Sequence, residues 1–332
     1  MKIAFLVTRI EKPSARYRVF QYIPFLKMEG YISEVFTIPK NNLDRINMFR
    51  KMRNFDIVFL QKKLLNIIEL HILRKNSKRL VYDFDDAVMF RDPDNKSQVS
   101  KKRMNYFLRT VKNTDIIIAG NKYLKNFAIK ENPETFVIPT SVDMNRYTEK
   151  QSSTESNPLI LGWIGSNATL FYLEKIRNVL DTIFDRFPHV RLKIVSDRFL
   201  DCTRMPVIKK HWAYEEEISD LHSFDIGLMP LTDDPWSKGK CGFKLLQYMA
   251  VAVPAVCSPV GVNREIISDG INGFWANNED EWVYKVSELL KNKQLRLDIG
   301  KRARKTVGDR YSTDVSSKKI LAIFNSLSGE GN

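Results

Sequence analysis

The chain has 332 residues, 43% hydrophobic and 28% charged, which suits two globular domains and excludes a disordered or low-complexity protein. No apolar stretch approaches the roughly 18 residues of a membrane span, and the opening MKIAFLVTRI is too short in apolar run, and lacks the cleavage site, for a signal peptide. The net charge of +14 lies almost wholly in the first half: residues 1–150 hold 29 Lys/Arg against 16 Asp/Glu, residues 151–332 hold 24 against 23.

In chain order, KIAFLV reads as a buried first strand and ARYRVFQYIPFLKMEG as an amphipathic helix closed by Gly30. SEVFTI, DIVFLQ, RLVYDF, TDIIIAGN and TFVIPT follow as strand candidates, each trailed by a turn or helix. Residues 149–158, EKQSSTESNP, are the most linker-like segment. The alternation then restarts: LILGWIG, VRLKIVS, DIGLMPL and PAVCSP as strands, separated by helices over NATLFYLEKIRNVLDTIFDRF, EEEISDLHSF and GFKLLQYMAVA. A helical tail closes the chain, with a last helix around STDVSSKKILAIFNSL. Short apolar strands separated by helices imply parallel βαβ units. The expected fold is α/β, with two doubly wound, Rossmann-like domains facing a central cleft. Residues 1–150 form the first domain, rejoined by the helix at about 313–330, and residues 151–312 form the second.

Ligands of open parallel sheets bind at the carboxyl ends of strands, where helix N-termini converge. Three segments of the second half meet that requirement. In GWIGSNAT, Gly165 ends a strand and Ser166 and Asn167 open a helix; a tight strand-to-helix turn explains the same residues without function. In WSKGKCGFK, Gly239 and Gly242 let the backbone approach a ligand, while Lys238, Lys240 and Lys244 place charge against the helix macrodipole, so that an anion is the natural compensation. In PVGVNREIISDGINGFW, Gly261 follows a strand and Glu265 lies early in the next helix, where capping alone also accounts for it.

Taken together, the run GFKLLQYMAVAVPAVCSPVGVNREIISDGINGFW resembles the donor-binding half of retaining GT-B glycosyltransferases of the family 4 type. PSARYRVFQYIPFLKMEG, VYDFDDAVMF and VIPTSVDMNRY resemble a branch of that family common in bacterial surface-polysaccharide synthesis. The family's signature carries a Glu, seven residues, then a second Glu; here those positions are Gly239 and Gln247. Gln247 keeps an acceptor oxygen for the ribose hydroxyls that the family's second Glu binds, whereas Gly239 cannot replace the first, which touches the donor sugar. The Arg and Lys that often follow the family's linker-side strand are also missing from GSNATLFYLEK, so the pyrophosphate is expected at Lys240 and Lys244, beside Phe243, and the nucleobase near His211 and Trp212, a packing role for the tryptophan remaining open.

In the first half, DFDD (Asp83, Asp85, Asp86) offers a carboxylate to orient an acceptor hydroxyl or accept its proton. Alternatives are a divalent-cation site of a metal-dependent transferase, or helix capping and pairing with Arg91. Arg16 and Arg18 follow the first strand and either hold an acceptor phosphate or the donor's β-phosphate, or face solvent from an amphipathic helix. The implied reaction moves a sugar from a nucleotide sugar to a glycan or lipid-linked acceptor, with retention and with no cofactor or metal. The rival reading is a catalytically inactive nucleotide-sugar-binding subunit, which the loss of both glutamates would explain. The basic first half suggests an anionic membrane surface as partner, with solubility alone as the plain alternative. Nucleic acid is set aside, because no RNP-like aromatic cluster, helix-turn-helix signal or zinc spacing is present. Cys202, Cys241 and Cys257 show no metal-ligand spacing and read as reduced thiols of a cytoplasmic protein, peripheral on the inner face of the membrane.

Overall fold

The computed structural model describes residues 1–93, 97–151 and 158–328. Through the first half run β1 (Lys2–Val7), α1 (Pro13–Arg18), α2 (Ile23–Met28), β2 (Ile32–Thr37), α3 (Asn42–Lys51), β3 (Ile57–Gln61), α4 (Ile67–Lys75), β4 (Arg79–Phe84), α5 (Lys101–Lys112), β5 (Ile116–Ala119), α6 (Lys122–Ala128) and β6 (Thr135–Val137). The second half continues with β7 (Leu159–Ile164), α7 (Asn167–Glu174), α8 (Arg177–Arg186), β8 (Val190–Ser196), β9 (Val207–His211), α9 (Glu217–His222), β10 (Ile226–Met229) and α10 (Pro235–Lys238). It ends with α11 (Phe243–Ala250), β11 (Ala255–Cys257), α12 (Asn263–Ile266), β12 (Phe274–Trp275), α13 (Glu279–Lys291), α14 (Lys293–Tyr311) and α15 (Thr313–Ser328).

The chain divides into two compact units: Met1–Ser141 with Asp234–Cys241 and Thr313–Asn332, and Val142–Asp233 with Gly242–Ser312. The first holds a six-stranded sheet of order β2-β1-β3-β4-β5-β6, the second one of order β12-β11-β10-β7-β8-β9, and every pairing within both is parallel. Both are thus doubly wound α/β units. In the first, alternate strand residues feed opposite layers: Ile57 and Phe59 pack with α1, α2 and α15 (Tyr22, Leu26, Phe324), while Val58 and Leu60 pack with α3 to α6 (Phe49, Leu70, Phe107, Leu124). Helix starts are fixed locally; Asn66 and Glu69 make a reciprocal capping box at α4.

The division corrects the expected boundary at 150/151. Residues from Val142 belong to the second unit because Val142 bridges to Ser312, Tyr147 is wholly buried in that unit's core, and the Lys150 amide donates to the Val251 carbonyl at 3.0 Å. The segment Asp234–Cys241, expected in the second domain, belongs to the first unit. Of the expected linker, residues 152–157 lie outside the described residues. The helix expected over ARYRVFQYIPFLKMEG is α1, a 3-10 turn at Phe20–Tyr22 and α2, because Val19 leaves helical backbone (φ −131°, ψ −67°) and Pro24 brings no amide to continue the ladder.

Candidate active site

Parallel strands place all their carboxyl ends at one edge of each sheet, so each unit presents one edge where loops and helix N-termini gather. At that edge of the first unit, Asp83 ends its run beside Gln61, with which it is in register on β3. Arg18 reaches Asp83 from α1: its Nε donates to Oδ2 at 3.2 Å, one terminal nitrogen pairs with Oδ1, and the other donates to the Ile138 carbonyl at 2.6 Å. Both side chains are 1% exposed. Burial works against the Arg18 charge, but Asp83 outweighs it and holds the guanidinium pKa above its ordinary value. Arg18 is therefore neither the phosphate ligand nor the solvent-facing residue expected: its donors close a buried pair that pins α1 to the sheet. Arg16, half-buried, has its guanidinium 5.9 Å from the Tyr17 ring centroid.

Asp85 and Asp86 meet a different cation. The Lys62 ammonium lies 3.2 Å from Asp85 Oδ1 and hydrogen-bonds Asp86 Oδ2. Asp86 Oδ1 in turn lies 3.3 Å from the Lys240 ammonium, which stands 4.8 Å from the centroid of Trp236. Burial raises the Asp86 pKa, but Lys240 and Lys62 together outweigh it and hold the carboxyl well below the carboxylate range. A group so stabilised as an anion is a poor proton acceptor near neutrality. Of the three DFDD carboxylates, Asp83 is committed to Arg18 and Asp86 to two lysines, which singles out Asp85. The cations that engage them are Arg18, Lys62 and Lys240 rather than the expected Arg91. Among the described residues no three His, Cys, Asp or Glu side chains come together as a metal site.

The segment Asp234–Cys241 is held against the first unit by side-chain bonds and one close approach. Asn121, whose Oδ1 caps α6, donates through Nδ2 to the carbonyls of Gly239 (3.3 Å) and Lys240 (3.0 Å), and the Cys241 thiol donates to the Asp85 carbonyl at 2.9 Å. A Cβ on Gly239 would stand 2.5 Å from the Ala87 Cβ and 2.9 Å from its amide nitrogen. The glutamate of the resembled signature thus has no room here, and Gly239 is a backbone seat. Lys238, half-buried, ends α10. Lys240 and Lys244, expected to act as one pair of pyrophosphate cations, belong to different units, because the chain passes from one to the other at Gly242.

In the second unit, Gly242 takes a left-handed backbone (φ +65°) that turns the chain into α11, a conformation strained for other residues. Phe243 is the first residue of α11, and Lys244 the second. The Lys244 ammonium lies 3.2 Å from Thr169 Oγ1, on α7, and 5.2 Å from the ring centroid of Trp163, on β7. Gly165 follows β7, its amide donating to the Val195 carbonyl at 3.0 Å. Ser166 is the N-cap residue of α7 without a side-chain cap bond; instead Asp197, just past β8, accepts from the Asn167 amide at 2.7 Å. Lys244, Thr169, Ser166, Asn167 and Asp197 are thus gathered at one edge of the second sheet.

The remaining expected residues divide. Gln247 is buried on α11, and its Nε2 donates to the Tyr147 hydroxyl at 3.3 Å. That hydroxyl donates to Glu217 at 2.7 Å, and the same carboxylate accepts from the Trp212 indole at 3.0 Å. Trp212, 39% exposed, is therefore a ring fixed at its nitrogen with a face open to solvent, so packing alone does not describe it. His211 ends β9, 4.9 Å from Phe199 between ring centroids. Gly261 and Glu265 lie in and after the turn into α12, where the Tyr311 hydroxyl reaches the Glu265 carbonyl at 3.5 Å. Sequence reasoning missed Lys62, Asp197 and Glu217. Only Asp197 had a local sign, an acidic residue immediately after a strand.

Comparison with known proteins bears on the family and the fold. Residues 214–306 match the family described as "Glycosyl transferases group 1". N-acetyl-alpha-D-glucosaminyl L-malate synthase of Bacillus anthracis is 21% identical, over 94% of this chain and 81% of its own. Among solved structures, HepE of Anabaena, in complex with UDP and glucose, superposes with a TM-score of 0.74 at 16% identity, covering 98% of this chain and 100% of HepE. Sucrose-phosphate synthase of Thermosynechococcus elongatus superposes with a TM-score of 0.75 at 12% identity, covering 98% and 99%. By fold this chain is a GT-B protein, two Rossmann-like units each with a six-stranded parallel sheet, and its residues 214–306 are similar to the group 1 glycosyl transferases.

Proposed function

We propose that the chain is a glycosyltransferase that moves a sugar, with retention, from a nucleoside diphosphate to a hydroxyl of a glycan or lipid-linked glycan in cell-surface polysaccharide synthesis. The observation that carries the reading is Lys244 at the start of α11, set between Thr169 and the Trp163 ring at the carboxyl edge of the second sheet, inside the matched family segment. A cation beside helix N-termini there stabilises the charge that grows on a departing diphosphate while the glycosidic bond breaks. Gly165, Ser166, Asn167, Gly242, Phe243, Gly261 and Glu265 would line the donor, Trp212 and His211 the base. The leaving phosphate would take the acceptor's proton, without metal or enzyme nucleophile. The excess positive charge of the first unit would hold the enzyme against anionic lipid, where lipid-linked acceptors reside.

Nucleotide release from a panel of UDP-, GDP- and ADP-sugars, with the unaltered chain, tests the reading. Turnover of one donor class supports it. Binding of a nucleoside diphosphate without turnover of any sugar nucleotide would instead establish the inactive subunit, which Gly239 and the buried Gln247 favour; neither binding nor turnover would end both.

A further inference from the structure

Lys62 sits on backbone that ordinary residues avoid. Its φ is +61°, and a left-handed conformation costs a non-glycine residue about 1–2 kcal/mol, so it persists only where the surroundings fix it. Three contacts fix it here. The Lys62 amide donates to the Asp83 carbonyl at 2.6 Å, and the ammonium meets both Asp85 Oδ1, at 3.2 Å, and Asp86 Oδ2. One ammonium bridging two adjacent carboxylates cancels their repulsion and sets the direction of each. Asp86 has both oxygens engaged, by Lys62 and Lys240. Asp85 Oδ1 is buried and faces the Lys62 ammonium at 3.2 Å, with no hydrogen-bond partner among the described residues.

A second observation points the same way. Gln61, the neighbour of Lys62 on β3, is 1% exposed, and neither its amide oxygen nor its amide nitrogen has a partner among the described residues. An orphaned buried amide costs about 1–3 kcal/mol, and a natural sequence tolerates that where something outside the chain completes the bonds.

We propose that Lys62 is a positioning residue for the acceptor, aiming the Asp85 carboxylate at the hydroxyl of a sugar or polyol, with the Gln61 amide, on the strand in register with Asp83, making the second contact. The acceptor O–H donates to Asp85, which orients the oxygen lone pair and keeps no proton. The inference rests on the transferase reading above, and it places the work of Lys62 on the acceptor and none of it on the donor.

The test uses Lys62→Gly, which removes the ammonium while relaxing the strained backbone, its fold checked by circular dichroism, with Lys62→Arg as the conservative partner. Turnover is followed with the sugar nucleotide selected by the panel, once with water as the only acceptor and once with added monosaccharides and glycerol as probes. Lys62→Gly is expected to lose donor hydrolysis at least tenfold less than it loses transfer. Its transfer to an added hydroxyl should fall about a hundredfold, and Lys62→Arg should recover at least a tenth of the unaltered rate. Unaltered transfer by Lys62→Gly, or an equal loss of hydrolysis and transfer, overturns the positioning role while leaving the transferase reading intact. A chain that turns over no sugar nucleotide removes the transferase reading, and this inference with it.

Discussion

The two units share a sheet topology and differ in how they use charge. The first unit, with its two returning segments, carries 31 Lys/Arg against 17 Asp/Glu; the second carries 22 of each. Yet at the carboxyl edge of the first sheet the cations are already matched by carboxylates, Arg18 with Asp83 and Lys62 and Lys240 with Asp85 and Asp86. At the same edge of the second sheet Asp197 takes a helix amide, and Glu217 takes a phenol, an indole and, at 3.7 Å, the Arg146 guanidinium. A large net charge is therefore a poor guide to where a free anion will bind. In the second unit, whose formal charges balance, Lys244 lies against a hydroxyl and an aromatic face.

The largest effect should come from breaking the buried pair. Asp83→Ala leaves a fully buried guanidinium without its partner and is expected to lower stability by about 3–5 kcal/mol, whereas Arg18→Met with Asp83→Leu should come within about 1 kcal/mol of the unaltered chain. Chemical denaturation followed by circular dichroism measures both; a mild Asp83→Ala would mean that the pair is solvated in solution. Next, Lys244→Ala should lower kcat for sugar transfer about 10²- to 10³-fold, as removal of a charge-stabilising donor does, against no more than twofold for Arg53→Ala on the exposed side of the first unit. Equal losses would remove the contrast between a working cation and a solvated one.

A smaller effect tests the seat of the connecting segment. Gly239→Ala puts a methyl group against Ala87 and should cost about 1–3 kcal/mol by overpacking. Gly239→Glu should add no activity, because the carboxylate of the resembled signature cannot enter where its Cβ does not fit.

The strands of both units were legible because buried parallel strands are short, apolar and bounded by turn residues; KIAFLV, DIVFLQ and RLVYDF match β1, β3 and β4 to within one residue. β9 was not, because VIKKH lies at the sheet edge with most of its side chains exposed and has no apolar run to declare it. Helix continuity was overread at Val19 and again at Lys175, where apolar spacing continues across a break between α7 and α8. Site residues were legible where a glycine or a helix start announced them, as at Gly242 and Lys244. Lys62 was not: in LQKKLLN it reads as one of two solvated lysines, and only the fold of β4 beside β3 brings DFDD to it. The placing of Lys240 in the first unit was equally invisible, since no local pattern distinguishes a segment that packs with its own domain from one that crosses to another.

The finest test of the contrast is Asp197, because two effects of opposite sign meet there. Its carboxylate accepts the Asn167 amide and so caps the eight-residue α7, a bond worth about 0.5–2 kcal/mol. The same negative charge stands near the edge where Lys244 is proposed to meet a diphosphate, and it competes for the amide that an incoming phosphate oxygen would use. Asp197→Asn keeps an acceptor oxygen but drops the charge. The free protein should therefore lose a few tenths of a kcal/mol of stability, while UDP or GDP, measured by calorimetry at low salt, should bind about two- to fivefold more tightly, the gain shrinking as salt screens the repulsion. Weaker nucleotide binding by Asp197→Asn would mean that the carboxylate orders α7 for the ligand rather than competing with it, and that the second unit, like the first, keeps its carboxylate as part of the site.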